Sequence, residues 1–494
     1  MEDVNSKVVV SNIVWRFFER FGAQIVSFVV SIVLARLLDP VVYGTIALII
    51  VFTSILQVFV DAGFGTALIQ KKDSDELDFN TVFYFNLFSC SILYLLMFFF
   101  APLIAKFYNN QQLVVLIRVL SLILVISGFK SIQTVYVSKH LQFKKFFFAT
   151  LVGTVISAAV GIYLAYKGAG VWALIAQNLI NQTVDTILLW ITVRWKPKPM
   201  FSFKRLRQLF SYGWKLLVSG LLDVGYNQIR ALIIGKKYTS EDLAYYNRGE
   251  QLPNLVVGNL NSSIDSVLLP SMSIAQNDKN RVKSMLKRSI TTSCFILMPA
   301  MIGIAACADS IIKVLLTDKW IPCIPYLQLF CIIYAFYPIH TANLNAMKAM
   351  GKSNYFLILE IIKKAIGIGL LLATMWISVK AIVLSLLVAN FISLLLNAYP
   401  NKKILGYSVF EQIKDILPTL IISAIMGGVV YYIYILNGAG LSTLVKQILY
   451  GVFLYFTLAA IFKFKALNYI MTFFKNISNK RRGGNQHSAG SPKK

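Results

Sequence analysis

Ten of the 48 lysines and arginines stand inside long apolar segments: Arg16, Arg20, Arg118, Lys130, Lys215, Arg230, Arg248, Lys363, Lys364 and Lys446. A charge at the centre of a membrane-crossing helix costs about 2.5–3.5 kcal/mol on the insertion scale. Ten of them facing lipid would be prohibitive, so each must snorkel, pair or face a watery interior. Arg16, Arg20 and Lys446 lie close enough to segment ends to snorkel, a reading much weaker for Arg230 and Lys363. Glu360 stands one turn before Lys363 and is its expected partner. Guanidinium and ammonium groups around water hold phosphate oxygens through charge-assisted hydrogen bonds. The chemistry on offer is recognition of an anion.

Spacing favours the interior. Lys215, Ser219, Asp223, Asn227 and Arg230 follow at steps of four, four, four and three, which places them on one helix face. Arg16, Arg20, Gln24, Ser27 and Ser31 repeat the pattern in the first segment, and Asn247, Gln251, Asn254, Gly258, Asn261 and Asp265 in the eighth. Shorter stripes are Thr53, Gln57 and Asp61 in the second segment and Asn178, Asn181 and Asp185 in the sixth. One polar stripe is often interhelical glue. Several, in corresponding segments of two halves, argue for a shared polar cavity. The candidate binding set is Arg16, Arg20, Arg118, Lys215, Arg230, Arg248 and Lys363, with the amides Asn227 and Asn254.

Catalysis is poorly served. The chain has no Gly-rich phosphate loop, HExxH, nucleophile elbow or paired-carboxylate motif, and no loop large enough for a nucleotide-binding domain. Its five cysteines form no CxxC pair, and His140, His340 and His487 complete no ligand set. The expectation is a non-enzyme without metal or cofactor.

The elements that carry these residues follow from composition. Hydrophobic residues make up 57% of the 494 and charged residues 14%, where soluble domains carry roughly 25% charged; mean hydropathy is +0.67. Apolar runs of about twenty residues recur end to end, the length of a bilayer-spanning helix and too long for barrel strands. We expect an all-α polytopic membrane protein of about fourteen spans. Their centres lie near Phe28, Phe52, Leu93, Ile123, Ile156, Leu179, Leu222, Val256, Leu297, Ile333, Ile368, Leu387, Ser423 and Leu454. The first reads as an uncleaved helix. With the N-terminus inside, inner segments hold 30 Lys and Arg and outer loops 8, so both termini are expected in the cytoplasm. The net charge of +27 then reflects topology and attraction to anionic membrane lipids, with no nucleic acid required.

An internal repeat fits this plan. Trp15-Arg16 opens the first segment and Arg36–Pro40 follows about twenty residues later; Trp214-Lys215 opens the seventh and Lys236–Ser240 follows at nearly the same distance. Parallel repeats about an axis normal to the membrane are a transporter design. The expected division is 1–200 and 201–405 as two six-helix bundles, 406–470 as two further helices, and 471–494 as a basic, disordered cytoplasmic tail.

Short motifs add a resemblance. They are Ala35–Gly44 (ARLLDPVVYG), Asp61–Asp73 (DAGFGTALIQKKD), Val171–Gln177 (VWALIAQ) and Arg194–Pro199 (RWKPKP) in the first half. Leu268–Ser273 (LLPSMS), Lys319–Gln328 (KWIPCIPYLQ) and Gly351–Asn354 (GKSN) follow in the second. In order and spacing the chain resembles the polysaccharide flippases of the multidrug/oligosaccharidyl-lipid/polysaccharide (MOP) exporter superfamily. The resemblance implies a MATE-like fold of two six-helix bundles plus two C-terminal helices, opening alternately to each side. It implies a cargo of polysaccharide repeat units on undecaprenyl pyrophosphate, moved from the inner to the outer leaflet of the bacterial cytoplasmic membrane, with polysaccharide assembly proteins as further partners. Where relatives commonly carry an acid before an LLIG-like segment, this chain has Arg230 before Ala231–Gly235. Asp223, Asp61 and Glu360 are then the candidates for a coupling ion.

Two other classes stay open. A drug exporter of the same superfamily favours cationic cargo and should have an acidic cavity, against the surplus of Lys and Arg here. A membrane-embedded polysaccharide polymerase or ligase should carry catalytic groups on a long outer loop, and the outer loops here are short.

Overall fold

The computed structural model describes residues 6–61, 63–469 and 472; the side chains of 6–21, 212 and 353 lie outside that description. The Arg16 and Arg20 side chains and, apart from residue 472, the 471–494 tail therefore fall outside the described residues. Contacts divide the chain into two compact units, Met1–Tyr245 and Tyr246–Lys494.

The first unit contains α1 (Ser6–Leu37), α2 (Pro40–Asp61), α3 (Phe64–Gln70), α4 (Glu76–Phe107) and α5 (Leu113–Leu120). It continues with α6 (Leu122–Lys139), α7 (Phe143–Tyr166), α8 (Val171–Thr192) and α9 (Phe203–Lys237). Helix α10 (Ser240–Ile274) leads into the second unit. There follow α11 (Lys279–Ala306), α12 (Ala308–Leu315), a 3-10 turn (Asp318–Cys323), α13 (Ile324–Ala335) and α14 (Tyr337–Ala349). The last four are α15 (Ser353–Thr374), α16 (Val379–Leu405), α17 (Val409–Asn437) and α18 (Leu441–Ile461).

Local chemistry sets the breaks. Gly63, at φ 129°, takes a conformation that only glycine adopts without strain, and the second apolar run becomes two helices, α2 and α3. Asp75 and Asp78 form a reciprocal capping box at the start of α4, and Ser408 and Glu411 another at α17. Apolar clusters hold each unit: Leu68, Phe79, Phe83, Ile132 and Trp195 in the first, and Phe295, Ile422, Met426 and Tyr455 in the second.

Among the described residues nine helical stretches are long and apolar enough to cross a membrane. The most apolar window of α4 is only 17% buried, with Phe88, Phe99 and Leu103 at least 60% exposed. A face of that size suits lipid, not water. The protein is all-helical and membrane-embedded. Helices α8, α9, α10 and α15 have 22 to 35 residues, yet their polar stripes and charges keep them outside those nine. Helix α1 is apolar over Gly22–Leu37, a shorter stretch. Each of the fourteen expected centres lies in its own helix, so a fourteen-span count is compatible with the fold.

The repeated connectors have the same length: Leu38-Asp39 joins α1 to α2 and Tyr238-Thr239 joins α9 to α10. They also touch. A Cβ on Gly44 would lie 1.7 Å from the Ser240 carbonyl oxygen, so this approach requires glycine. Helix α9 packs on α2, α3 and α4 within the first unit.

Candidate functional site

A cavity of about 570 Å³ opens in the first unit between α2, α6 and α8. From α2 the stripe Thr53, Gln57 and Asp61 faces it, as the four-residue spacing requires. Helix α6 contributes Lys130 and α8 contributes Asn178 and Gln182. The Lys130 ammonium lies 2.5 Å from Asp185 Oδ2 and donates to Gln182 Oε1 at 3.3 Å. Gln182 Nε2 in turn donates to Ser127 Oγ at 2.8 Å. Asp185 is 5% exposed, and its Oδ1 has no hydrogen-bond partner among the described residues. Asp61 accepts from Gln57 Nε2 at 3.4 Å and is exposed. Chemically the cavity presents Lys130, already paired with the buried Asp185 behind it, and a carboxylate of its own, Asp61, available to a cation or proton.

The stripe of the sixth segment divides. Asn178 lines the cavity, whereas Asn181 Nδ2 donates to Ser157 Oγ at 3.2 Å and Thr154 Oγ1 at 3.4 Å, tying α8 to α7. That second role is the interhelical glue that a polar residue often supplies.

Helix α9 presents Lys215, Ser219, Asp223 and Asn227 as exposed residues of one face. Arg230, the last of that stripe, is 5% exposed; its guanidinium lies 5.2 Å from the Tyr226 ring centre, and its Nε has no acceptor among the described residues. Arg118 is committed locally: its Nε donates to the Phe98 carbonyl at 3.2 Å and its guanidinium lies 4.1 Å from the Phe98 ring centre. The α2–α6–α8 cavity takes Asp61 from the candidate set and, among the described residues, none of the candidate cations.

In the second unit Lys363 pairs with Glu360, as its position one turn away indicates. Arg248 donates to Gln251 Oε1 and lies 5.0 Å from the Trp320 ring centre. Asn254 is exposed, while Asn261 is buried and its Oδ1 lacks a donor among the described residues. A buried amide network escapes the sequence reading. His340 Nε2 lies 3.2 Å from Asn390 Oδ1 and its Nδ1 lies 3.0 Å from Asn397 Nδ2. Asn343, Asn401 and Gln412 join α14, α16 and α17 through bonds of 2.7–3.1 Å. Among the described residues no cluster of His, Cys, Asp and Glu could hold a metal ion.

A family described as "Polysaccharide biosynthesis protein" matches residues 33–325. The chain is 25% identical to the succinoglycan biosynthesis transport protein ExoT of Rhizobium meliloti (strain 1021), over 67% of each chain. It is similar in fold to the lipid II flippase MurJ in an inward closed conformation, with a TM-score of 0.72, 17% identity, and 91% of this chain and 98% of that one covered. An inward-facing multidrug resistance MATE family transporter of the MOP superfamily superposes with a TM-score of 0.59 at 14% identity, covering 77% of this chain and 94% of the other. The fold is that of this flippase and transporter group.

Proposed function

Because the chain belongs to the polysaccharide biosynthesis protein family that matches residues 33–325, we propose that it is a flippase for a lipid-linked oligosaccharide. The cargo is a polysaccharide repeat unit on undecaprenyl pyrophosphate, moved by alternating access from the inner to the outer leaflet of the bacterial cytoplasmic membrane. The observation that carries this reading is the α9 face: Lys215, Ser219, Asp223 and Asn227 are exposed together on a helix of a membrane-embedded unit. Such a face is too polar for lipid and suits a hydrated anionic cargo.

Lys215, Arg230, Arg248 and Lys363, with Arg16, Arg20, Arg118, Asn227 and Asn254, serve the pyrophosphate and the sugar along the route. The coupling ion falls to Asp61, Asp223 or Glu360; Asp61 has the strongest support, because it is the carboxylate that lines the cavity, while Lys130 of the same lining already pairs with the buried Asp185. The chain is a transporter and not an enzyme, with both termini in the cytoplasm and two six-helix bundles, 1–200 and 201–405, followed by 406–470. A drug exporter is less well served, since Lys215 occupies the exposed stripe. A polymerase is not favoured either: no described helix connector exceeds the ten residues 193–202.

The test is accumulation of lipid-linked intermediates in a deletion strain, with the glycan identified by mass spectrometry. Loss of the polymer together with build-up of complete repeat units on the lipid is the expected result. Unchanged intermediates would refute the reading.

A further inference from the structure

A second cavity, of about 300 Å³, lies at the end of the first unit where α6 turns into α7, and Tyr136, Gln142, Lys145 and Arg194 line it. Its size is at the lower end for ligand sites. Lys145 and Arg194 act on each other there as like charges, and neither side chain has a carboxylate partner among the described residues.

The start of α7 carries the same signature. Its first turn has no acidic residue, and Gln142 at its N-cap makes no side-chain capping bond. The positive dipole end of a helix disfavours lysine, yet Lys145 stands in that turn. A fixed anion removes the conflict, since it accepts from the ammonium and opposes the helix dipole. One further group is unsatisfied: Gln142 Oε1 is buried and has no donor among the described residues. An anion that also carries a hydroxyl meets both needs.

Apolar surface continues from the site. Phe148, Val152, Val155 and Ile156 follow Lys145 at helical spacing and are 38–50% exposed. Basic pockets between membrane helices are a recurrent form of lipid headgroup site.

We propose that this cavity binds the phosphate of an anionic phospholipid with a hydroxylated headgroup, such as phosphatidylglycerol. Lys145 and Arg194 hold the phosphate, the Gln142 amide accepts from the headgroup hydroxyl, and an acyl chain lies along Phe148–Ile156 of α7. Assigning the site to the inner leaflet rests on the proposed orientation; the binding chemistry does not.

The full chain in mild detergent is titrated with phosphatidylglycerol, phosphatidic acid, phosphatidylcholine and water-soluble glycerol phosphate, and bound molecules are counted by native mass spectrometry. One phosphatidylglycerol should bind per chain in preference to the other three. Lys145→Gln and Arg194→Gln should each weaken it about tenfold or more, the loss of one charge-assisted bond. Lys145→Arg should retain binding, and Lys196→Gln, an exposed neighbour outside the lining, should change nothing. Gln142→Leu should erase the preference for phosphatidylglycerol over phosphatidic acid. Wild-type affinity in Lys145→Gln with Arg194→Gln, or equal binding of phosphatidylcholine, would overturn the site. Glycerol phosphate binding as tightly as the lipid would overturn the lipid assignment. Binding is read without transport, so failure of the flippase reading leaves this result untouched, and the converse also holds.

Discussion

Lys130 lines the α2–α6–α8 cavity and stands 2.5 Å from Asp185 behind it. Asp61, on α2, faces the cavity itself, hydrogen-bonded to Gln57 and within the field of the same Lys130. The two carboxylates near Lys130 thus have different tasks. Asp185 is 5% exposed, and removing one member of a buried pair leaves the other charge stranded, at about 3–5 kcal/mol. Asp185→Asn should therefore lower the unfolding temperature in detergent, while Lys130→Met combined with Asp185→Leu should recover most of the loss. Asp61→Asn should leave the unfolding temperature nearly unchanged and impair export. An Asp61→Asn variant that exports at the normal rate would remove Asp61 from coupling.

The exposed faces can be read with a membrane-impermeant thiol reagent. All five native cysteines are buried, so background labelling should be low in the unmodified chain. Cysteines at Ser219, Asn227 and Asn254, all exposed, should react. Leu221 and Leu255, turned away from those stripes by about 100° per residue, should react less. Asn261 belongs to its stripe by spacing but is buried, so a cysteine there should stay unlabelled. Equal labelling at all six positions would mean that the stripes do not line water.

A charge clasp fastens the segment between α8 and α9. Asp78, fully buried, lies 2.5 Å from the Lys71 ammonium and 3.6 Å from an Arg205 nitrogen. Asn80 Oδ1 accepts from Lys198 N at 2.6 Å, Thr81 Oγ1 accepts from Ser202 N at 3.2 Å, and Gln133 Nε2 donates to the Trp195 carbonyl at 3.3 Å. Asp78→Asn should cost about 2–3 kcal/mol, the buried-pair figure discounted for the solvent that reaches Lys71 and Arg205. Asn80→Ala should expose 193–202 to limited proteolysis. Beside them, the backbone N–H of Asp78 holds the Asp75 carboxyl below the usual carboxylate range, with Arg205 adding to the effect. A depressed folded value stabilises above the unfolded pKa of about 4 and is lost as pH falls. Cleavage in this segment should therefore quicken on acidification below about pH 4 and not on a rise to pH 9.

Orientation follows from loop charge. Reporter fusions after Lys72, Lys204 and Lys283 should report the cytoplasm, and fusions after Lys167 and Lys237 the outside. One of the five on the wrong side would break the fourteen-span plan.

Helix positions were legible because an apolar run is a local signal: each of the fourteen centres has its own helix. The breaks inside those runs were harder, since Gly63 at φ 129° and Ser121 between α5 and α6 interrupt sequence that is apolar on both sides. Polar pairs within one helix were readable, as Glu360 and Lys363 demonstrate. Pairs between helices were not. Lys130 and Asp185 lie 55 residues apart in the chain, and nothing in the stripe that holds Asp185 specifies Lys130. The His340 network did leave a trace, since Asn390, Asn397 and Asn401 stand seven and four residues apart on one face of α16. Three amides spread over three turns of an apolar helix are a weak signal, though, and nothing in them names His340 of α14 as the partner.

Arg230 is the last case. The sequence allowed it to neutralise Asp223, two turns away. Instead it is buried against Tyr226, with no carboxylate in ion-pair distance among the described residues and with Nε unsatisfied. A buried guanidinium with a free donor is costly unless an anion visits it. Arg230→Gln should therefore impair export while the protein still inserts and folds, because one charge-assisted bond contributes about 1.5–3 kcal/mol, a tenfold to hundredfold effect on cargo binding. Arg230→Lys should be partly tolerated, keeping the charge and losing the guanidinium's approach to the Tyr226 ring. The double change Asp223→Asn with Arg230→Gln separates the two accounts. If the arginine only balanced the aspartate, the pair of neutral residues should export normally. With a cargo role it should remain as defective as Arg230→Gln alone, and full export at normal expression would end that role.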